Sequence, residues 1–279
     1  MALNSCMALQ AARLHRCRAV PAWRAGLVLV AILLAGCAAS PSGSAQDVPK
    51  RPQRLGVVSV VAGELFVSHD EWDIRGSSHR EVLSIPDWGI DRVYERQMAD
   101  ALSTLPGVAA AQLLPNPEAF AEVNRGFVPG EGKVSHGAMN WSGIKDAVRA
   151  HCVSSSLDGI VIAVQASAAG PQFPGGQVLL GAGTYASTRA GVAKVHLIAK
   201  LALISCDTAS LKAMVWLSKD KADWVSVSSQ SMALEDLPAG QFATSMVNWP
   251  ASRFGEVRSR LLTLPALIWR PALESLLRL

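Results

Sequence analysis

Two features are missing from the start of this sequence: acidic residues, and an apolar run long enough to span a membrane. Residues 1–24 carry four arginines but no aspartate or glutamate, and the uncharged run that follows, residues 25–36, has only twelve residues. A transmembrane helix needs about 20 apolar residues, so this run is too short to cross a bilayer. A basic segment followed by a short apolar segment and small residues is typical of a secretory signal peptide. We therefore expect residues 1–36 to be removed.

The end of the apolar run carries a more specific signal, Leu34-Ala35-Gly36-Cys37. It resembles the lipobox of bacterial lipoproteins, in which a Leu, two small residues and a Cys close the apolar run. The resemblance implies cleavage between Gly36 and Cys37, a diacylglyceryl thioether on Cys37, and acylation of the new amino group. Two or more acyl chains hold a protein stably on a membrane, whereas one does not. The absence of Asp after Cys37 implies the outer membrane, with the protein facing the periplasm.

The net charge argues against nucleic acid as a partner once the leader is removed. The chain has 26 Lys+Arg and 22 Asp+Glu, but four of the arginines belong to residues 1–24. The mature chain is therefore neutral, with 22 residues of each sign. Binding to phosphates requires a persistent cationic surface, which this balance does not predict. The expected partners are the membrane, through the lipid on Cys37, and an envelope protein or the cell wall; the oligomeric state is left open.

The rest of the chain predicts a single domain behind a tether. Residues 37–52 are small and polar and indicate a lipidated flexible tether, and residues 53–279 are long enough for one domain with a substantial core. Residues 69–84 are predicted to form a loop. The periodicity of apolar residues predicts strands at 55–61, 108–114, 159–165, 184–188, 193–205 and 211–217, and helices at 86–105, 141–156 and beyond 242. This order predicts an α/β (α+β) fold, with a mixed β-sheet that ends in a long hairpin or meander and is packed by helices.

Two short patterns accompany this order of elements. Residues 158–162 read Asp-Gly-Ile-Val-Ile in a buried strand that follows a helix, and the later hairpin turns on Asp207-Thr208. In both respects residues 55–220 resemble the periplasmic domain shared by TolB N-terminal regions and curli-secretion lipoproteins. The resemblance implies a role in partner binding or assembly in the cell envelope.

Two cysteines, Cys152 and Cys206, remain in the mature chain besides Cys37. The periplasm is oxidising, so a disulfide between them is conceivable. If the strands at 159–165, 184–188 and 193–205 alternate in direction, however, Cys206 lies at the far end of a strand that spans roughly 40 Å. A disulfide requires Cα atoms within about 7 Å of each other. The sequence therefore predicts no disulfide.

Candidate catalytic and metal-binding groups are few. The richest polar cluster lies in the predicted loop and comprises His69, Asp70, Glu71, Asp73, His79 and Glu81. His196 occupies the outer face of its predicted strand, because its alternating neighbours Val195 and Leu197 form the core side. The sequence contains no nucleophile elbow, complete Walker motif or dinucleotide-binding motif. We expect no catalytic residue, metal ligand or cofactor.

These observations favour a non-enzymatic envelope lipoprotein that binds a protein partner or the cell wall, with the glycine-rich residues 168–183 as the candidate contact. The alternative is a periplasmic, hydrolase-like enzyme whose site combines the 69–81 loop with His136 or His151. Convergence of these side chains in one cleft would favour the alternative, and their dispersal would count against it.

Overall fold

The computed structural model describes residues 53–70, 78–125, 129–130, 133–134, 139–169, 178–188, 190–217 and 233–278. The predicted leader and tether, including Cys37, lie outside these ranges. The described residues belong to one compact unit, Lys50–Leu279. None of their helices is long and apolar enough to span a membrane.

The chain forms a mixed α/β fold, as predicted. Its strands are β1 Gln53–Val60, β2 Glu64–Asp70, β3 Ser78–Ser84, β4 Val108–Leu113, β5 Pro129–Gly130, β6 Lys133–Val134, β7 Gly159–Gln165, β8 Ser167–Ala169, β9 Val178–Leu180, β10 Ala182–Ser187, β11 Val192–Leu197, β12 Ala199–Ser205, β13 Ser210–Trp216 and β14 Ala233–Leu237. Its helices are α1 Ile90–Ser103, α2 Lys145–Ser155, α3 Ala239–Phe242, α4 Ala251–Thr263 and α5 Trp269–Arg278. Short 3₁₀ segments cover Pro86–Trp88, Pro117–Asn124, Trp141–Ile144 and Met246–Asn248.

Most of the strands divide between two five-stranded sheets. The first has the order β13-β12-β7-β1-β4, with β1, β4 and β7 parallel to one another and β12 antiparallel to β7. The second has the order β14-β11-β10-β2-β3, in which only β2 and β10 are parallel. The chain passes from the first sheet to the second between β1 and β2, between β7 and β10, and between β13 and β14, and it returns between β3 and β4 and between β11 and β12.

Helices cover both faces of the first sheet. Leu55 and Val57 of β1 point into a large core with α1, α4 and α5, which the second sheet also joins. Val58 and Val60 point to the opposite face, into a core with α2 and the 3₁₀ segment Pro117–Asn124. The crossover from β1 to β4 contains α1, and the crossover from β4 to β7 contains α2. These two helices lie on opposite faces of the sheet, and β4 and β7 lie on opposite sides of β1.

The predicted long strand 193–205 is interrupted at Ile198, which corrects the expected meander. Ile198 donates its N–H to Gly181 O and accepts from Ala166 N, and Gly181 N donates to Ala166 O, so three chain segments are hydrogen-bonded to one another at this point. Residues on either side of Ile198 pair in different sheets. Alternating hydrophobicity runs through the break, so the sequence pattern alone does not reveal it.

A disulfide joins Cys152 and Cys206, whose Cα atoms lie 5.6 Å apart. The prediction of no disulfide was wrong because it treated residues 193–205 as one strand of a meander. In fact β12 lies directly beside β7 and antiparallel to it, with Ser205 opposite Gly159. The end of β12 therefore meets the start of β7, close to the end of α2, where Cys152 is located.

The predicted loop 69–84 is also corrected. Its described residues form the end of β2 and all of β3, which pair with His69 opposite His79. The segment is polar because β3 is an edge strand, with residues such as His79 and Ser84 exposed. The C-terminal region is helical, as expected, and packs on α1: the indole N–H of the buried Trp269 donates to Gln97 Oε1, and the Tyr94 hydroxyl donates to Leu261 O.

Candidate functional site

A cleft of about 670 Å³ opens at the carboxyl ends of the parallel strands. Its lining comes from the end of β1, the start of β2, the end of β3, the first turns of α1, the residues after β4, and Gln165 at the end of β7. In open α/β sheets, ligands bind outside the carboxyl ends of the strands, where successive crossovers leave the sheet in opposite directions. The cleft lies at this position because β1 stands between β4 and β7 in the first sheet.

Side chains of α1 complete the hydrogen bonding of β1 within the cleft. The paired residues of β4 end at Leu113, opposite Val57, so the next backbone N–H groups on that side of β1 have no strand partner. Glu95 Oε1 accepts from Ser59 N at 3.2 Å, and Asp91 Oδ1 accepts from Val61 N at 2.9 Å. The two carboxylates therefore replace a missing strand, as the need to satisfy buried backbone groups requires.

Asp91 also fixes the passage from β1 to β2. It accepts from the Ser59 hydroxyl at 2.6 Å and from Ala62 N at 3.1 Å, in addition to Val61 N. On the other side of β1, Asn124 Nδ2 donates to Val60 O, and its Oδ1 accepts from Gln165 N. The floor of the cleft is thus a hydrogen-bonded network held in place by α1 and the 3₁₀ segment Pro117–Asn124.

Burial determines the protonation behaviour of both carboxylates. It raises the pKa of Asp91, although the hydrogen bonds from Ser59, Val61 and Ala62 oppose the rise. Burial also raises the pKa of Glu95, opposed chiefly by Arg92, whose Nη1 donates to Glu95 Oε2 at 2.5 Å. A raised pKa reflects the cost of placing a charge in a poorly solvated position.

The groups that remain available to a ligand lie around the mouth of the cleft. The Arg92 side chain is 46% exposed although its Nη1 contacts Glu95 and Leu114 O. Glu118 is exposed and Glu64 is half-buried, and no ion pair among the described residues engages either of them. This arrangement offers charges of both signs at the rim above a rigid floor, which suits recognition of a polar or charged group.

Among the described histidines and acids proposed for an enzymatic site, His69, His79 and Glu81 lie on β2 and β3, whereas His151 lies in a different core. His69 and His79 stack on each other across β2 and β3, with ring centroids 5.2 Å apart. Glu81 accepts from the Ser245 hydroxyl and from Met246 N, and His151 packs against Phe120 in the core beneath α2. Glu71, Asp73 and His136 lie outside the described residues. Within the described ranges, no group of His, Cys, Asp or Glu side chains is placed to hold a metal ion.

His196 lies on the face of its strand opposite Val195 and Leu197, as predicted, and on that face it is fully buried. The β8–β9 hairpin covers that face of the second sheet, and Leu180 O of the hairpin accepts from His196 Nε2 at 3.1 Å. Alternation along the strand distinguishes the two faces of a sheet but does not show that both are covered. Residues 170–177 of the glycine-rich candidate contact, between β8 and β9 in sequence, lie outside the described residues.

Acid is expected to destabilise the fold through His196. Burial lowers the pKa of His196 to about 4, the hydrogen bond to Leu180 opposes this, and the Arg80 charge adds to it. The folded protein therefore favours the neutral ring, so its contribution to stability is complete above pH 6.5 and is lost as the pH falls from 6.5 towards 4. The loss amounts to about 3 kcal/mol.

The test compares urea unfolding of the wild type and His196→Gln at about pH 7 and about pH 4.5. Gln retains a donor for Leu180 O but does not titrate. The wild type should lose roughly 2–3 kcal/mol more than the variant over this range. Equal losses in the two proteins would show that His196 is not the titrating group.

Comparisons with known proteins yield little. No family model matches the sequence, and no curated protein matches it. Among solved structures, the chain matches a point variant of the PelC dodecamer from Paraburkholderia phytofirmans at 8% sequence identity, over 80% of this chain and 89% of that one, with a TM-score of 0.27. At that score the similarity supports no conclusion about the fold or function of this chain.

Proposed function

We propose that this chain is a lipid-anchored protein of the bacterial cell envelope that recognises a partner through the cleft and is not an enzyme. The leader and the Leu34–Cys37 motif support secretion and lipid attachment at Cys37, and Ala38 supports the outer membrane, facing the periplasm. The Cys152–Cys206 disulfide agrees with a periplasmic location, because disulfides persist in oxidising compartments and are rare in the cytosol.

The observation that favours binding over catalysis is the structural role of the two carboxylates in the cleft, buried Glu95 and part-buried Asp91. A general acid or base must exchange a proton with its substrate. Asp91 and Glu95 line the cleft, but their oxygens already accept hydrogen bonds from the backbone and from neighbouring side chains, and these bonds hold the floor of the cleft in place. The exposed charges at the rim are left to contact a partner, either an envelope protein or a component of the cell wall.

The proposal is tested by photo-crosslinking in intact cells. A photo-reactive amino acid in place of Glu118, at the rim of the cleft, should give a discrete adduct. The same residue in place of Asp146 is the control, because Asp146 is highly exposed but lies on α2, outside the cleft lining.

A second substitution establishes that the adduct depends on the cleft. Glu64→Lys reverses a rim charge and should reduce the Glu118 adduct severalfold, whereas Arg149→Glu, on the exposed face of α2, should leave it unchanged. Equal adducts from both crosslinking positions, or no effect of Glu64→Lys, would contradict recognition through the cleft.

A further inference from the structure

The four outer strands of the two sheets differ in charge. Exposed edge strands offer unpaired backbone groups to other chains, and proteins commonly protect such edges with charged side chains. In this chain β3 carries Arg80 and Glu81, β13 carries Lys212, and β14 carries Glu235 and Asp236. The fourth edge, β4, has the sequence Val-Ala-Ala-Ala-Gln-Leu, with no charged residue and no proline.

Within the described part of the chain, the backbone groups on the outer side of β4 have no strand partner. Leu114 N donates to Val57 O, and Leu55 lies opposite Ala111 in the parallel ladder with β1. The backbone N–H and C=O groups of successive residues in a strand point to opposite sides. Those of Gln112 therefore point towards β1, whereas those of Ala111 and Leu113 point away from it. No hydrogen bond from the described part of the chain reaches these outer groups.

The side chains of β4 leave this edge accessible. Ala109 and Ala110 point to opposite faces of the sheet, and both are exposed. Their small size allows another strand to approach without steric conflict on either face. Among the four edge strands of the two five-stranded sheets in the described residues, only β4 has no charged residue and also exposes small side chains.

We propose that β4 is an association edge at which two copies of this chain pair antiparallel about a twofold axis, joining their first sheets. A twofold interface brings the same patch of both subunits together, so the patch must be complementary to itself. An uncharged strand meets this requirement, because no like charges face each other, whereas a strand carrying charges of one sign would repel its copy. The proposal uses a surface different from the cleft and does not depend on recognition there.

Pairing of one short strand buries little area compared with a standard stable interface, so the dimer is weak in dilute solution. The test therefore uses the full-length protein in its native membranes. Ala110→Cys, treated with a short-arm bis-maleimide, should give a product of twice the chain's mass. Ser210→Cys on the charged edge β13 is the matched control and should give none.

Two variants in the Ala110→Cys chain establish that the backbone edge carries the contact. Ala111→Pro removes an outward N–H from each copy without removing a donor to β1, and should lower the crosslinked fraction roughly tenfold or more. Ala109→Lys places a charge on the edge at an exposed position and should also lower it. Protease resistance and an intact Cys152–Cys206 disulfide confirm that each variant is folded.

Crosslinking that persists in both folded variants would overturn the proposal, as would equal crosslinking at Ser210→Cys, a product containing a different protein, or the absence of any product. The Glu118 adduct reports on the cleft independently. Failure of the β4 proposal is therefore distinguishable from failure of the proposed function.

Discussion

Removal of the Cys152–Cys206 disulfide is expected to lower the free energy of unfolding by about 4 kcal/mol. The two cysteines are 54 residues apart, and closing a loop of this length restricts the unfolded chain by about that amount in the chain-entropy model. In the folded state the bond ties the last turns of α2 to the turn between β12 and β13. The apparent melting temperature should fall on the order of 10 °C.

The measurement is equilibrium urea unfolding of the Cys152→Ala/Cys206→Ala protein, which avoids leaving a single free thiol. Wild-type protein treated with a reductant is the control and should unfold at nearly the same urea concentration as the double variant. Unfolding of the double variant within about 0.5 kcal/mol of the oxidised wild type would show that the bond does not constrain the chain.

Local patterns predicted the elements but not their assignment to sheets. The apolar faces of α1 and α2, the buried strand Gly159–Gln165 and the hairpin around Asp207 follow from periodicity over a few residues, and the structure confirms each. The interruption at Ile198 depends on hydrogen bonds to Gly181 and Ala166, which lie 17 or more residues away in sequence. Because this break cannot be recognised from the local pattern, the sequence places Cys206 at the end of the sheet opposite to the one where it lies.

The cleft was not predicted because its residues are far apart in the sequence. Asp91 lies in the first turn of α1, where a negative charge suits the positive end of the helix dipole. This explains its position on the helix but not its contacts. Asp91 and Glu95 are separated by four residues and therefore share one side of α1, which could have indicated a common target. That target, the end of β1, becomes apparent only when β4 is seen to stop at Leu113.

The second large effect concerns the lipid anchor. The proposed function requires acylation of Cys37 and cleavage after Gly36. Cys37→Ala should therefore abolish acylation completely and leave the leader uncut or cut at another position. Cys17→Ala removes a cysteine of the leader instead and should leave processing and acylation unchanged.

Intact-mass analysis of the protein after growth with a clickable fatty acid measures cleavage and acylation at Cys37 directly. We predict that the wild type and Cys17→Ala begin at an acylated Cys37 and carry the label, whereas Cys37→Ala carries none. Normal labelling of Cys37→Ala, or an unmodified wild-type chain that retains residues 1–36, would contradict a lipid-anchored envelope protein.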